Sequence, residues 1–338
     1  MEDLLGAVDI GATKITSTLF NREGILVRLF QPTVLVGGID SIPLQVIGMM
    51  ERCLEETELE IGDLIILGVS SAGPFRRVDG MVELVSPNIC GGLAPERGVL
   101  ENDWTSVPLE RVLRGRFREL VIENDAVAGA VAERTFGAGQ GCDNLLYVTW
   151  STGIGTGAFV DGRIIRGKNG NAPHGGHVYL GLEGPVCGCG NICDLEATAS
   201  GSAIGSLYGK GSTAEEVFKA YYRGDEKAVE VVQRAAVYFG KGLASINSVL
   251  DTKMIVLGGG VFLNNVDLLM PMVKEFFYRS FPQLSEGVEI IPAQLGMHLG
   301  DLAAISLVIP EDLAGEWRRN RPWERMPDTI YLDGIRAV

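Results

Sequence analysis

Apolar and polar positions along the chain set out two openings of the same kind. Leu4 to Ile10 is an apolar run, Gly11-Ala12-Thr13 a tight turn, Ile15 to Phe20 a second β-rich run, Asn21 to Gly24 another turn, and Ile25 to Leu29 a third strand. The pattern returns at Leu145. A strand runs to Trp150, a Gly/Thr turn covers Ser151 to Gly155, a strand follows over Thr156 to Val160, and the turn Asp161-Gly162 leads into a strand from Arg163 to Arg166. Both stretches read as antiparallel meanders. Their shared order predicts a duplicated domain whose two phosphate-sized turns face each other across a cleft.

Helical periodicity follows the first meander over Ser41 to Glu56, and a buried-type strand from Leu64 to Ser70 ends in Ser71-Ala72-Gly73-Pro74. Leu120 to Glu123 is a short strand running into Asn124-Asp125, with a helix over Ala126 to Phe136. Beyond the second meander, helices are expected over Glu196 to Leu207, Ala214 to Arg223 and Glu226 to Val249. A β-run from Lys253 to Leu257 then enters Gly258-Gly259-Gly260, followed by a helix over Asn265 to Arg279, a strand Val288 to Ile291 and a last helix Gly300 to Val308. Strands alternating with helices imply a mixed α/β sheet. Residues 310–338 differ, with Trp317 and Trp323 set among Arg318, Arg319, Arg321 and Arg325, and read as a docking arm.

Composition narrows the function classes. The 338 residues are 46% hydrophobic and 21% charged, which suits two domains of ordinary size, since single cores stop growing at about 250–300 residues. The 45 glycines are about twice the usual share but have no three-residue period, so collagen is excluded. Acidic residues outnumber basic ones by 43 to 29, a formal charge of −14, which argues against a nucleic-acid or anionic-membrane footprint. A small anion held by backbone groups remains compatible. The start Met1-Glu2-Asp3 lacks a secretory signal's basic and apolar regions and no segment reads as a membrane span, so a cytoplasmic protein is expected. Isolated Cys53, Cys90 and Cys142, with three more between Cys187 and Cys193, look like reduced thiols plus one metal candidate.

Candidate chemistry gathers at the turns. Asp9-Ile10-Gly11-Ala12-Thr13-Lys14 puts a carboxylate at a strand end before a small-residue turn, so backbone N–H groups and the Thr13 hydroxyl can meet phosphate while Asp9 holds Mg²⁺. A plain hairpin is the alternative. In Ser151-Thr152-Gly153-Ile154-Gly155-Thr156-Gly157, three alternating glycines would weaken an ordinary strand pair and suit close approach to phosphates, or else a bulged corner. Gly258-Gly259-Gly260 suits a base or ribose passing over bare backbone. Asn124-Asp125 sits where a strand meets a helix, the usual place for ligand chemistry in such sheets. Asp125 is either the base for a sugar hydroxyl or merely the helix N-cap. His177 with Cys187, Cys189 and Cys193 offers one imidazole and three thiolates, an inventory suited to a closed Zn²⁺ site. Unrelated reduced cysteines are the alternative there.

Taken together, Asp9–Lys14, Ser71-Ala72-Gly73-Pro74, Pro87-Asn88, Glu123-Asn124-Asp125-Ala126, Ser151–Gly157, Gly176-His177, Cys187-Gly188-Cys189-Gly190, Leu195-Glu196-Ala197 and Gly258–Gly260 resemble the ROK family in order and spacing over about residues 4–308. That family groups repressors, open reading frames and sugar kinases. The resemblance implies an α/β actin-like ATPase fold (ribonuclease H-like), duplicated into two domains with an interdomain cleft. It implies ATP-dependent phosphorylation of a hexose or hexose derivative, with Asp125 as base and the sugar bound by Asn88, Asn124, Asp125, His177 and Glu196. Phosphates would lie on Asp9, Gly11, Ala12, Thr13 and Lys14 and on Ser151, Thr152, Gly153 and Gly155, with the nucleoside on Gly258, Gly259 and Gly260. His177 would also be a zinc ligand, and a homodimer or homotetramer is implied.

The departures redirect parts of this expectation. His174 stands where the family has a sugar-binding glutamate, and Pro173 where it has glycine. Imidazole offers at most one acceptor where a carboxylate offers about four lone-pair sites, so an N-acetylhexosamine, a deoxysugar or a cyclitol rivals glucose. The family's third cysteine falls on Asp194, leaving Cys193, Asp194 or neither as zinc ligand. Ala12, Val127 and Ser151 replace a usual Gly, Asn and Gly. With the first phosphate turn beginning at Asp9, no DNA-binding domain is expected ahead of it, and a non-catalytic sugar or nucleotide sensor remains a rival. The expected domains are 1–122, completed by a helix at about 300–309, then 123–299, then the arm 310–338.

Overall fold

The computed structural model describes residues 4–94 and 100–332. The chain divides into two compact units: the first runs to Phe136 and adds residues 166–171 and the chain from Met297 onward, and the second holds residues 137–165 and 172–296.

The first unit opens with the meander β1 (Leu4–Ile10), β2 (Lys14–Phe20) and β3 (Ile25–Pro32), followed by α1 (Ser41–Glu56) and β4 (Leu64–Ser71). A hairpin, β5 (Phe75–Val78) and β6 (Met81–Leu84), then leads to α2 (Leu109–Arg114), β7 (Leu120–Asn124) and α3 (Asp125–Thr135). Apolar residues of β1, β2 and β4, among them Val8, Ile10, Ile15 and Val69, are fully buried and pack with α1 through Val46 and Met50. The expected boundary at 122 is displaced to Phe136. β7 pairs with β4, and α3 packs on a later helix of the same unit, so both finish the first sheet instead of starting the second.

The second unit begins with β8 (Leu145–Trp150), β9 (Ile154–Val160) and β10 (Arg163–Ile164). It continues through α4 (Leu195–Ala199), α5 (Gly201–Tyr208), α6 (Ala214–Tyr221), α7 (Glu226–Leu250) and β11 (Met254–Gly258). The last elements are α8 (Gly260–Leu263), α9 (Val266–Arg279), α10 (Pro282–Ser285) and β12 (Glu289–Pro292). The long helix α7 starts at Asp225, whose side chain accepts from the Ala228 N–H at 2.8 Å. It buries Val232, Ala236, Phe239, Leu243 and Ile246 at helical spacing, and Phe239 stacks on Trp150 with ring centroids 3.8 Å apart.

The two sheets repeat one topology. Strand order is β3-β2-β1-β4-β7 in the first unit and β10-β9-β8-β11-β12 in the second, and each position keeps its parallel or antiparallel sense. The duplication expected from the meanders therefore extends to all five strands, and the fold is the actin-like one.

Two expectations change. The single helix over 196–207 is broken at Ser200, which is extended and caps α5 by accepting from the Ala203 N–H at 3.1 Å. The break lets the N–H groups of Gly201 and Ser202 donate to Ser151 O and Thr152 O at 2.8 and 3.1 Å, so the turn after β8 satisfies α5's free donors.

The chain returns to the first unit with α11 (Leu299–Ser306), α12 (Glu311–Asn320) and β13 (Ile330–Tyr331). The described part of the arm is integral to that unit. Trp317 and Trp323 are buried with Phe20 and Phe136, at 5.4 Å for Phe20–Trp317 and 5.1 Å for Phe136–Trp323, and β13 adds to the sheet beside β3. Arg28 pairs with Asp301 of α11 at 2.9 Å and also reaches Thr329. Residues 333–338 of the expected arm lie outside the described residues.

Candidate active site

In the first unit, Asp9 lies one residue before the end of β1, opposite Ser70 of β4, and the Ser70 hydroxyl donates to its Oδ1 at 2.9 Å. Burial pushes the Asp9 carboxyl up to about 7, with nearby Asp125 and Asp301 adding to the rise and Ser70 opposing it. The turn after it closes where Gly11 N–H donates to Lys14 O at 2.8 Å, and the Thr33 hydroxyl donates to Gly11 O at 2.8 Å. Ala12 is half-buried, while Thr13 and Lys14 are exposed at the turn. Half-buried Asp9, with Asp301 buried and Asp125 exposed nearby, places acid beside a small-residue turn, which suits a hard divalent cation with oxygen ligands.

The β7–α3 junction gives the N-cap position to Asn124, with Asp125 sharing its bond. Asn124 is the N-cap, its side chain accepting from Ala126 N–H at 3.1 Å, and Asp125 is the first helical residue. One Asp125 oxygen accepts from Ala126 N–H at 2.8 Å. Asp125 keeps solvent-accessible area, yet the surrounding protein atoms desolvate it enough to push its carboxyl above the ordinary value. Asn88, in the turn after β6, is exposed.

In the second unit, the turn between β8 and β9 carries Ser151, Thr152 and Gly153, and Gly155 follows in β9. Gly258 ends β11, and Gly259 crosses the end of β8 so closely that an added Cβ would lie 2.4 Å from Trp150 O. Its φ of +86° is a conformation glycine alone adopts without strain. Beside these segments is a cavity of about 630 Å³ lined by Ser151, Ser202, Thr213, Tyr222, Gly260 and Asn264, among others. Sequence reasoning missed the α5 and α6 contributions to it, because their Ser, Thr and Tyr residues form no local motif.

Glu196, in the first turn of α4, accepts from the Ile154 N–H at 2.8 Å. His174 sits between Pro173 and Gly175 in a left-handed conformation, φ 49°, its ring 4.9 Å from that of His177. Burial, followed by His177, holds the His174 imidazole below its usual value; the hydrogen bond to Asp194 raises His177.

The metal candidates resolve differently from the cysteine inventory. His177, Cys187, Cys189 and Asp194 bring four ligand atoms within 4.8 Å of one another. His177 Nδ1 is 3.0 Å from Asp194 Oδ2, 3.5 Å from Cys189 Sγ and 3.7 Å from Cys187 Sγ, and Cys189 Sγ is 3.6 Å from Asp194 Oδ2. Tetrahedral zinc with bonds of about 2.0–2.3 Å needs ligand separations of about 3.3–3.8 Å. The three thiol separations lie in that range, and His177 and Asp194, at hydrogen-bond distance, would part slightly to admit the ion, so one imidazole, two thiols and one carboxylate can close on it. Cys193 is not a member of this group. It has φ 56° and turns its buried Sγ toward Gly181 and Gly184, while Asp194, extended, presents its carboxylate to His177.

Each unit thus gathers its own share of the expected residues. Asp9 to Lys14, Asn88, Asn124 and Asp125 belong to the first, and Ser151 to Gly155, His174, His177, Glu196, the metal group and Gly258 to Gly260 to the second. Ser70 and Asp301, which act on Asp9, were not singled out, since they meet it only through sheet register and the return of the chain.

Known proteins with this arrangement are informative. The glucokinase of Pyrobaculum calidifontis is 31% identical over 316 residues, covering 90% of this chain and 96% of that one. The crystal structure of a ROK hexokinase from Thermus thermophilus has a TM-score of 0.75 at 32% identity and covers 90% and 97% of the two chains. A ROK family glucokinase from Streptomyces griseus, solved with glucose and AMPPNP, has a TM-score of 0.66 at 27% identity, covering 90% and 99%. With residues 5–311 matching throughout the two repeated sheets and their turns, the chain belongs to the ROK family.

Proposed function

We propose that this chain transfers the γ-phosphoryl group of ATP to a hydroxyl of a hexose or hexose derivative, with Asp125 as the base. It is a sugar kinase, a phosphotransferase with an alcohol acceptor. The observation that carries the assignment of Asp125 is that Asn124 takes the N-cap position of α3, while Asp125, one residue on and sharing the Ala126 N–H, keeps an exposed carboxylate at the end of β7.

Asp125 takes the proton of the sugar hydroxyl as its oxygen attacks the γ-phosphorus, and ADP leaves with the electrons of the broken P–O bond. A positioned base of this kind contributes about 10²–10⁴ in rate, and positioning of donor and acceptor supplies much of the rest. The phosphates are assigned to the backbone N–H groups of Gly11, Ala12 and Thr13, with Lys14, and to Ser151, Thr152, Gly153 and Gly155. The nucleoside is assigned to Gly258, Gly259 and Gly260 and the adjoining cavity. Asn88, Asn124, Asp125, His174, His177 and Glu196 are assigned to the sugar. Asp9 would hold Mg²⁺, directly or through water, and the ion would neutralise phosphate charge. His177, Cys187, Cys189 and Asp194 would hold a structural Zn²⁺, which staples a stretch poor in regular structure.

The test is ADP release by purified protein with MgATP across hexoses, N-acetylhexosamines, deoxysugars and cyclitols, with polyphosphate run in parallel as donor. Turnover on one of these sugars supports the reading; sugar binding without any turnover would return the protein to the sensor class. His174 supports an acceptor other than glucose, and His174→Glu should then raise glucose turnover. A cytoplasmic homodimer or homotetramer completes the proposal, checked by mass in solution. Among the described residues no helix is long and apolar enough to cross a membrane.

A further inference from the structure

The metal group and the second phosphate turn meet at a single residue, Ile154. Glu196 lies two residues beyond the metal candidate Asp194, on the helix that Asp194 caps by accepting from the Ala197 N–H at 2.7 Å. Glu196 Oε2 accepts from the Ile154 N–H at 2.8 Å, and its Oε1 lies 3.6 Å from Cys187 Sγ. One carboxylate therefore touches a metal candidate with one oxygen and the turn with the other. The short helical turn Gly175–His177 presses so close to the same residue that a Cβ on Gly176 would lie 2.1 Å from Ile154 O. The same segment donates from Gly175 N–H to Thr156 Oγ1 at 2.6 Å. A Cβ on Gly153 would lie 2.7 Å from Glu196 Oε2, so the turn rests directly on that carboxylate.

We propose that Glu196 is a positioning residue through which the metal group sets the Ser151–Gly155 turn for nucleotide phosphates, so that metal loss weakens nucleotide binding even when no sugar is present. The physical route is short. A metal at His177, Cys187, Cys189 and Asp194 would fix the 175–177 segment and the start of α4 relative to each other; the first packs against the Ile154 carbonyl, and the second accepts from the Ile154 N–H. Without the ion, those segments keep the Leu195 N–H to Val178 O bond at 3.0 Å and the His177–Asp194 hydrogen bond, but the two thiols no longer tie the 187–189 loop to them, and the turn's backing is looser. An anion site made of backbone N–H groups depends on their being oriented beforehand. The inference rests on the assignment of Ser151–Gly155 to phosphate.

The experiment measures binding of the non-hydrolysable analogue Mg·AMPPNP by calorimetry, without sugar, to metal-replete and chelator-treated protein, with metal content read by elemental analysis and folding by circular dichroism. Chelation of the wild type should raise the Kd about tenfold, the scale of one charged hydrogen bond. Glu196→Ala should raise it similarly while the protein keeps its metal, and chelation of that variant should add little. Glu196→Gln, whose amide oxygen can still accept from Ile154 N–H, should recover most of the affinity. An unchanged Kd on chelating folded wild type, or an equal further loss in Glu196→Ala, overturns the coupling. Failure of replete wild type to bind the analogue at all would instead overturn the phosphate assignment itself.

Discussion

Replacing Asp125 by Asn tests the proposed base apart from folding, because Asn124 holds the N-cap position and the amide oxygen introduced by Asp125→Asn can still accept from Ala126 N–H. The helix keeps its cap, since Asn124 continues to accept from Ala126 N–H. What folding loses is a negative charge in the first turn of α3, an interaction of about 0.3–1 kcal/mol with the helix dipole. Relief of repulsion toward Asp9 offsets part of this, because Asp125 is one of the charges that raise the Asp9 carboxyl. The melting temperature should fall by no more than about 2–4 °C, the shift that 1 kcal/mol causes in a domain of this size. An amide cannot take the sugar's proton, so kcat should drop by about 10²–10⁴. Asn124→Ala should show a stability loss of about 1 kcal/mol from the cap. Coupled ADP assays and thermal melts by circular dichroism read the two effects. The wild-type pH profile adds a check: Asp125 must be ionised to act, and desolvation raises its pKa. Activity should therefore rise with pH along an acid limb lying above the ordinary aspartate range, and fall as Asp125 protonates below it. Asp125→Asn turnover within tenfold of wild type would refute the base, and a collapse in melting temperature would attribute the rate loss to unfolding.

Three further outcomes are expected. Gly259→Ala forces a side chain into a positive-φ position against Trp150 O; it should cost about 1–3 kcal/mol of strain and weaken AMPPNP binding, and a wild-type melt with unchanged affinity would contradict the close approach. Cys193→Ser should retain wild-type metal content on elemental analysis, whereas Asp194→Asn, which preserves the helix cap, and Cys189→Ser should lower it; the reverse pattern would restore Cys193 as the ligand. Truncation after Pro310 removes Trp317 and Trp323, each 1% exposed, and with them burial worth about 1.5–3 kcal/mol per large side chain. Truncated protein should aggregate or melt far below the full chain, and an unaltered melt would make the arm a detachable appendage.

How much was legible beforehand follows from how local each signal is. Alternating apolar positions and small-residue turns are set by the chain's own neighbours, so the strands of both meanders and the Asn124-Asp125 junction could be read directly. The β5–β6 hairpin was not recognised, having only four residues on each side. The break at Ser200 had a local signal that went unread, the capping serine before Gly201-Ser202, and the nearby carbonyls of Ser151 and Thr152 reward ending one helix and starting another there. Cys193 and Asp194 show a different limit. Composition favours a third thiolate, but neighbouring residues direct their side chains apart, and the backbone angles at 193 and 194 choose the carboxylate.

The amino-acid sequence by itself determined the duplicated openings, the turns fit for phosphate, the acidic residue at a strand–helix junction and the family these resemble. Each rests on spacing within a few residues. Tertiary structure alone decided that the five-strand order repeats in full, that residues 123–136 and the Trp-bearing arm belong to the first unit, and that Asn124 takes the N-cap position before Asp125. It also decided that Ser70 and Asp301 shape Asp9, and that Asp194 joins the thiols. These contacts join residues far apart in the chain, or set the direction in which adjacent side chains point. Sheet register and backbone dihedrals determine both, and neither is carried by local residue pattern.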